Sequence, residues 1–231
     1  MPQNFIIMFM KVKIIGILVC FAFCISSVQG QRLRNEVDSL SYALGILFGK
    51  QIQGGGFQTI NAEIFGQTVQ KIIQNEVLDM TSDQASAIVN TQYQKIQQLK
   101  YQKNLDIGRV FLDNNKNVAG VVTLPSGLQY KIIKQGTGAK PSATDKVTVH
   151  YHGTLIDGTI FDSSVERGQP IELSVNQVIQ GWIEALQLMP VGSKWMLYIP
   201  SELAYGETPR PGPIEPNMAL IFEVELLSIN N

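Results

Sequence analysis

Cysteine is almost missing from this chain of 231 residues. Only Cys20 and Cys24 occur, and both lie in the first thirty residues. A product without that segment contains no thiol, which excludes a disulfide, a cysteine-ligated metal site and a cysteine nucleophile.

The chain also lacks an excess of charge of one sign, since 18 basic residues stand against 19 acidic ones. This balance offers no attraction to nucleic acid or to an anionic membrane surface, and we expect partners to be selected by shape.

Long hydrophobic runs are limited to residues 14–25. Lys11 and Lys13 precede this run and small residues follow it up to Gly30, while its length is about half of the roughly 20 residues that span a bilayer. The pattern predicts a signal peptide over residues 1–30, a periplasmic or secreted product, and no membrane span in the mature chain. An outer-membrane lipoprotein attached through Cys24 is the alternative, but the Phe-Ala-Phe before this cysteine fits a cleavage site poorly.

Residues 31–117 have helical periodicity. A first amphipathic helix is predicted before the three glycines at 54–56, and Asn61 is positioned to cap a second helix. The apolar residues recur every three or four positions, at Val37, Leu40, Leu44, Leu47 and Phe48 in the first helix and at Ile64, Phe65, Val69, Ile72 and Ile73 in the second.

A third helix is predicted to follow the capping box of Thr81 and Gln84. If it continues through Gly108 to Asn115, it is about 50 Å long, more than two short helices can cover. Either a second protomer packs against it or much of it is a solvated stalk, and a break near Gly108 is the third alternative. We expect a homodimer that forms through residues 37–73.

Residues from 118 onward alternate β-branched and aromatic residues with polar ones, which is typical of strands. Four segments show this pattern: GLQYKIIK, KVTVHYHGTL, KWMLYIP and ALIFEVELL. Only residues 178–189 keep helical spacing, and one short helix among antiparallel strands implies a sheet curled around it. The predicted fold class is α+β, with a helical domain over residues 31–117 and a sheet domain over residues 118–231.

The sheet region contains no evident pair of nucleophile and base. His150 and His152 flank Tyr151 on one predicted strand, so they point to the same face and could share a metal with a third ligand. No third ligand lies nearby in the sequence, and outward-facing histidines are the simpler interpretation. We therefore predict neither a metal nor a cofactor.

Aromatic residues are the remaining candidates for function. The hairpin YHGTLIDGTIFDSS, with an Asp-Gly turn, places Tyr151 on one arm and Phe161 beside Asp162 on the other. Residues 201–217 form a loop with four prolines, and Tyr205 lies near its base. Such aromatic residues most often fill a core, but a loop stiffened by proline suits the rim of a binding site.

Three segments carry a family resemblance: VHYHGTLIDGTIFDSS, VIQGWIEALQLMPVGSKWMLYIPSELAYG and ALIFEVELL. Over residues 121–229 the chain resembles the FKBP-type peptidyl-prolyl isomerases. DSLSYALGILFGKQI and the glutamine-rich third helix are similar to the amino-terminal region of the exported bacterial members, the macrophage infectivity potentiator group. The resemblance implies a half-barrel sheet over a short helix, and an apolar pocket between them that accepts a proline ring.

The same resemblance implies an activity and its partners. The expected reaction is the isomerisation of X-Pro bonds in a desolvated pocket, without a covalent step or a cofactor. The expected substrates are unfolded or nascent exported polypeptides that contain proline, and macrolide inhibitors are further ligands to consider. A rival hypothesis is a dimeric holdase chaperone, in which the helical half cradles clients and the sheet domain mainly binds them.

The resemblance implies roles for eleven residues of this chain. The catalytic positions are Tyr151, Phe161, Asp162, Tyr205 and Phe222, and the substrate-binding positions are Arg167, Ile171, Val178, Ile179, Trp182 and Ile214. Trp182 is expected to form the pocket floor and Tyr205 to donate a hydrogen bond to the substrate. Arg167 is expected to hold Asp162. Alternatively, Asp162 caps the turn with the two serines that follow it, and Arg167 is an ordinary surface charge.

Four residues depart from the usual pattern of the family. Ile171 replaces an aromatic residue, and Glu215 replaces a proline in an Ile-Pro-Pro-Asn run. Arg210 and Pro213 alter the tip of the loop. These changes bear on substrate preference and macrolide affinity rather than on the fold.

Overall fold

Three helices account for the helical periodicity: α1 is Glu36–Gly54, α2 is Ala62–Ile73 and α3 is Ser82–Asn115. The computed structural model of the protein describes residues 33–230, so the signal peptide predicted over residues 1–30 lies outside the described residues. Within the described part, residues 33–51 form one compact unit and residues 52–230 form another. The predicted break at the glycines is confirmed, because α1 ends at Gly54.

Side-chain caps begin the second and third helices. The side-chain oxygen of Asn61 accepts hydrogen bonds from the backbone N–H groups of Glu63 and Ile64, both at 3.1 Å. The Thr81 hydroxyl accepts from the N–H of Gln84 at 3.3 Å, and the Gln84 side chain accepts from the N–H of Thr81 at 2.9 Å. These bonds satisfy N–H groups that have no partner inside the helix. Both predicted caps are confirmed.

The long helix α3 continues through Gly108, so the predicted alternative of a break there is wrong. Its 34 residues make it about 51 Å long. Another part of the chain approaches the helix closely at this glycine: a Cβ on Gly108 would lie 3.2 Å from the Cβ of Ala219. The missing side chain therefore permits a close contact between α3 and the start of the last strand.

The two halves of α3 have different surroundings. Leu112 and Asn115 are buried, and the Asn115 amide donates a hydrogen bond of 2.8 Å to the side-chain oxygen of Gln129. In the first half, by contrast, Ile88 is 54% exposed and Val89 is 53% exposed. The last turns of the helix therefore pack against the sheet, whereas the exposed first half is compatible with a solvated stalk and with a surface that a second protomer covers.

Seven strands follow α3 in the described residues. They are β1 Val121–Thr123, β2 Gln129–Lys134, β3 Lys146–Thr154, β4 Ile160–Ser163, β5 Ile171–Ser174, β6 Lys194–Ile199 and β7 Leu220–Asn230. They form an antiparallel sheet in the order β1-β2-β6-β7-β3-β4, and β5 also pairs with β3. The four predicted strand segments are confirmed as β2, β3, β6 and β7.

The core lies between this sheet and one short helix, α4, at Gln180–Leu188. Along β3 the side chains of Val147, Val149 and Tyr151 are buried, while the residues between them are partly exposed. On α4, Trp182 and Leu186 are buried against this inner row. The helix predicted within residues 178–189 is thus confirmed, and the fold is α+β.

No helix of residues 33–230 combines the length and the apolar character that a membrane span requires.

Candidate active site

A cavity of about 790 Å³ lies between the inner face of the sheet, the start of α4 and the loop before β7. Its volume is in the range usual for small-molecule sites and exceeds what one pyrrolidine ring needs. Ten of the eleven predicted site residues line it: Tyr151, Phe161, Asp162, Ile171, Val178, Ile179, Trp182, Tyr205, Ile214 and Phe222. The remaining residue, Arg167, bonds to two of them. We call this space the aromatic cavity.

Four aromatic rings form the deep part of the aromatic cavity. Trp182 is only 4% exposed and meets the rings of Tyr151 and Phe222 edge to face, with centroids 5.6 and 5.2 Å apart. Phe161 meets Phe222 in the same way at 5.3 Å. Edge-to-face contacts of this kind are a favoured packing of aromatic rings and stabilise the cluster. The rings therefore make a well-packed apolar recess with an indole at its base.

Strand register explains why these rings converge. Gly153 of β3 is paired with Phe222 of β7 on one side and with Asp162 of β4 on the other. A Cβ on Gly153 would lie 2.6 Å from two atoms of the Phe161 ring. The absence of a side chain at this one position makes room for Phe161 beside Phe222.

A polar triad closes one wall of the aromatic cavity. The Tyr151 hydroxyl donates a hydrogen bond to the carboxylate of Asp162, and the guanidinium of Arg167 forms an ion pair with the same carboxylate. Arg167 also donates to the Tyr151 hydroxyl oxygen at 2.9 Å. These three groups bond to one another, so each restrains the other two.

The turn after β4 brings Arg167 back to this wall. The Ser163 hydroxyl accepts a hydrogen bond of 3.1 Å from the N–H of Glu166, and the Ser164 hydroxyl accepts one of 2.8 Å from the N–H of Tyr151. Serine side chains thus supply bonds that stabilise the turn, whereas the Asp162 side chain bonds to the other two members of the triad.

The triad sets the protonation of its members. Burial raises the pKa of Asp162, but the hydrogen bonds from Tyr151 and Arg167 outweigh burial, so this pKa lies below its ordinary value. Burial, followed by the hydrogen bond to Asp162, raises the pKa of Tyr151. At neutral pH the wall therefore consists of a neutral phenol, a carboxylate and a guanidinium.

The loop over residues 201–217, here called the rim loop, forms the opposite edge of the aromatic cavity. Its base is closed by a hydrogen bond of 2.7 Å from the N–H of Asn217 to the carbonyl of Gly206. The guanidinium of Arg210 lies over the ring of Tyr205, 4.4 Å from its centroid. Among residues 33–230 the Tyr205 hydroxyl has no hydrogen-bond partner, so it remains available to a ligand.

Two family models match this chain. The model described as FKBP-type peptidyl-prolyl cis-trans isomerase matches residues 137–227, and the model of the domain amino terminal to it matches residues 37–132. The chain belongs to the FKBP-type peptidyl-prolyl cis-trans isomerases. The resemblance predicted from its motifs is therefore confirmed, and the chain is an isomerase of this class.

Named relatives extend over most of this isomerase. It is 40% identical over 231 residues to the outer membrane protein MIP of Legionella longbeachae, which covers 95% of this chain and 98% of the relative. It is 43% identical over 192 residues to the FKBP-type 22 kDa peptidyl-prolyl cis-trans isomerase of Escherichia coli K12, covering 82% and 93%. The crystal structure of FkpA from Escherichia coli is similar with a TM-score of 0.71 and 32% identity, covering 86% of this chain and 98% of that one.

Six residues that line the aromatic cavity were not predicted as site residues: Leu173, Gln177, Gln180, Ala204, Arg210 and Pro211. Leu173 could have been found, because it lies two residues after Ile171 on β5 and so shares its face. The two glutamines flank Val178 and Ile179 in the sequence. A polar side chain is common at the protein surface, so nothing in the sequence indicates that these two glutamines line the pocket.

The two histidines of the isomerase lie away from the aromatic cavity. Nδ1 of His150 is 3.0 Å from the Ser164 hydroxyl, and Nδ1 of His152 is 3.0 Å from the Ser163 hydroxyl. In the part of the chain that the structure describes, no group of three His, Cys, Asp or Glu residues is arranged to hold a metal ion. The histidines instead bond to the turn that follows β4.

The ion pair of the triad predicts how stability changes in acid. Because the pKa of Asp162 is lower in the folded protein than in the unfolded chain, the carboxylate stabilises the fold above the unfolded value of about 3.9. This contribution is lost as the pH falls through the folded-state pKa. Asp162→Asn is therefore expected to reduce the difference between the urea midpoints of unfolding at about pH 6 and about pH 3.

A second carboxylate provides the control for this measurement. Asp113 is exposed on α3 and pairs with Lys116, and Asp113→Asn should leave the difference in midpoints close to that of the wild-type protein. The ion pair would lose its assigned role if Asp162→Asn and the wild-type protein showed the same acid dependence.

Proposed function

We propose that this isomerase assists the folding of exported proteins by isomerising X-Pro bonds inside the aromatic cavity, with no covalent step. The cavity itself carries the proposal, because its recess is apolar, buried at the base and larger than a proline ring. Unaided X-Pro bonds exchange between cis and trans over tens to hundreds of seconds, which is slow enough to limit folding.

The mechanism acts on the resonance of the imide bond. Resonance between the carbonyl and the nitrogen keeps the bond planar and sets a rotational barrier of roughly 18–20 kcal/mol. In water, hydrogen bonds to the carbonyl oxygen support the charge-separated planar form. When the proline ring enters the recess above Trp182, the bond loses that water, and the twisted transition state loses less support than the planar ground state.

The polar residues of the site orient the substrate in this mechanism. Tyr205 donates a hydrogen bond to the substrate backbone from the rim loop, since its hydroxyl has no partner within the described residues. Asp162, restrained by Tyr151 and Arg167, presents a carboxylate beside the recess and polarises the neighbouring substrate amide. Phe161 and Phe222 exclude water from the bond that rotates.

A protease-coupled assay tests this function. The cis population of a proline tetrapeptide is followed in the presence of the full-length mature protein at micromolar concentration. The proposal predicts that the slow phase becomes faster in proportion to protein concentration, and that a macrolide bound in the cavity suppresses the effect. No acceleration at micromolar protein would reject the proposal.

The helical region is proposed to form a homodimer. Neither α1 nor α2 buries a residue in the described part of the chain, and large apolar side chains such as Val37, Leu47 and Ile73 are more than 60% exposed. An apolar surface of this extent favours a partner, and a second copy of the chain is the simplest one. Light scattering of the mature chain should give twice the monomer mass, whereas a monomer at high concentration would refute the dimer.

A holdase function is the second candidate, favoured by the same exposed apolar residues and by the exposed first half of α3. We place the boundary between the helical and isomerase domains at residues 117 and 118. A truncated protein that begins at Val118 should keep its kcat on short peptides but lose the ability to suppress aggregation. If this truncated protein protected clients fully, the hypothesis that the helical half holds them would be rejected.

We further propose that the protein is exported. The support is the signal pattern of residues 1–30 together with the similarity to a Legionella longbeachae protein named as an outer membrane protein. Mass spectrometry of the mature amino terminus should identify cleavage after Gly30. A lipid on Cys24 would instead indicate attachment to a membrane, and an uncleaved terminus would contradict export through a signal peptide.

A further inference from the structure

The rim loop is held by more than its own base. It contributes Tyr205, Arg210, Pro211 and Ile214 to the aromatic cavity. The hydrogen bond between Asn217 and Gly206 closes the base, and the N–H of Met218 donates to the carbonyl of Glu215 at 3.4 Å, but a further restraint acts on the segment after Ile214. That restraint comes from a distant part of the chain.

Two side chains of α3 form an ion pair and hydrogen bonds with the two residues that directly follow Ile214. Nζ of Lys100 lies 2.6 Å from a carboxylate oxygen of Glu215. The amide of Asn104 donates to the other carboxylate oxygen of Glu215 at 3.3 Å and to the backbone carbonyl of Pro216 at 3.1 Å. Lys100 and Asn104 are four residues apart and thus lie on one face of the helix. We call these contacts the helix latch.

The environment of the helix latch makes it more than a surface ion pair. Pro216 is buried, and the Glu215 side chain is only 33% exposed. Three bonds from one helix face converge on two consecutive loop residues, so the geometry of the loop is fixed in more than one direction. The long helix is rigid here because its following turns are buried against the sheet at Leu112 and Asn115.

We propose that Lys100 and Asn104 are positioning residues of the isomerase, which hold Ile214 and the rim loop in the conformation that binds substrate. This inference rests on the proposed function of the aromatic cavity. A loop without the latch samples other conformations, and apparent affinity falls by the fraction of molecules that remain competent. The rings lie on the sheet and on α4, and the triad lies on the sheet and in the turn after β4. Tyr205 lies at the base of the rim loop, which the bond between Asn217 and Gly206 closes without the latch, so the rate of the bound reaction does not depend on the latch.

The latch therefore affects KM rather than kcat. In the full-length protein, Lys100→Met is expected to raise KM for an uncharged proline tetrapeptide by about three- to tenfold, with kcat within about twofold of the wild-type value. Glu215→Gln should have the same effect. The exchanged pair Lys100→Glu with Glu215→Lys should recover part of the loss in KM, because it restores the ion pair but not the bond from Asn104 to a carboxylate at position 215.

Lys103→Met is the matched control, because Lys103 is an exposed lysine of α3 that forms no ion pair with any residue in 33–230. Salt gives a further measurement that a merely structural role would not affect. Since the pair is half exposed, raising the salt from about 0.01 M to about 1 M should raise KM of the wild-type protein and leave that of Lys100→Met unchanged.

An active wild-type protein whose KM is unchanged by Lys100→Met and Glu215→Gln would overturn the latch and leave the proposed function intact. A lower unfolding midpoint without a change in KM would also overturn it, because the residues would then be merely structural. A wild-type protein inactive on proline peptides would reject the proposed function and the latch with it.

Discussion

Gly153→Ala is expected to lower kcat/KM for a proline tetrapeptide by about 10- to 100-fold, although the change adds only one methyl group. The new Cβ would lie 2.6 Å from two atoms of the Phe161 ring and 3.0 Å from the ring of Phe222. The first distance is shorter than real Cβ contacts, so the Phe161 ring must move, whereas the second is a tight contact that a small shift of the Phe222 ring relieves. The space available to it is the aromatic cavity, where it would occupy the position of the substrate ring.

Gly66→Ala is the matched control, because a Cβ at that position has no atom within 4 Å. It should leave kcat/KM unchanged. Circular dichroism and an unfolding curve must show that Gly153→Ala remains folded. If the folded variant kept the activity of the wild-type protein, Phe161 would not form a wall of the substrate site.

Trp182→Ala is expected to lower the free energy of unfolding by about 3–5 kcal/mol and to abolish most of the activity of the molecules that remain folded. Trp182 is 4% exposed and supports Tyr151 and Phe222 through edge-to-face contacts. Its removal deepens the recess and releases both rings. A proline ring would then lie in a space too large to exclude water.

Trp195 provides a control of nearly equal burial. It is 3% exposed and stacks on Tyr130 with centroids 4.3 Å apart, but it does not line the aromatic cavity. Trp195→Ala should lower stability by a similar amount and leave kcat/KM of the folded fraction unchanged. If the two variants lost activity to the same extent, the floor would have no special role.

Local signals in the sequence predicted much of the fold. The caps of α2 and α3 depend on residues no more than three positions apart, such as Thr81 with Gln84, and so they were visible without tertiary information. The short strands β1 and β5 have three and four residues, too few for a pattern to repeat. The sequence around Gly108 is compatible with a helix break, because the residue that it packs against, Ala219, is more than a hundred positions away in the sequence.

In the candidate site, too, some features could be predicted from the sequence and others depend on tertiary contacts. Motif resemblance indicated the residues of the hairpin, of α4 and of β7, and the pair of Asp162 with Arg167 spans only five positions. No pattern in the sequence could indicate the contact of Lys100 with Glu215, because it depends on how the long helix docks against the sheet. The rim loop shows the same limit, since the stacking of Arg210 on Tyr205 follows from its folded path.

The measurement that tests the central claim most directly uses the two indole N–H groups of the chain, which ¹H–¹⁵N spectra resolve. As a proline tetrapeptide is titrated into the full-length protein, the chemical shift of the Trp182 indole N–H should change and that of the Trp195 indole N–H should remain constant. A peptide with alanine in place of proline should shift neither. If Trp182 stayed unchanged at saturating peptide, or if only Trp195 shifted, the proline ring would not bind in the recess.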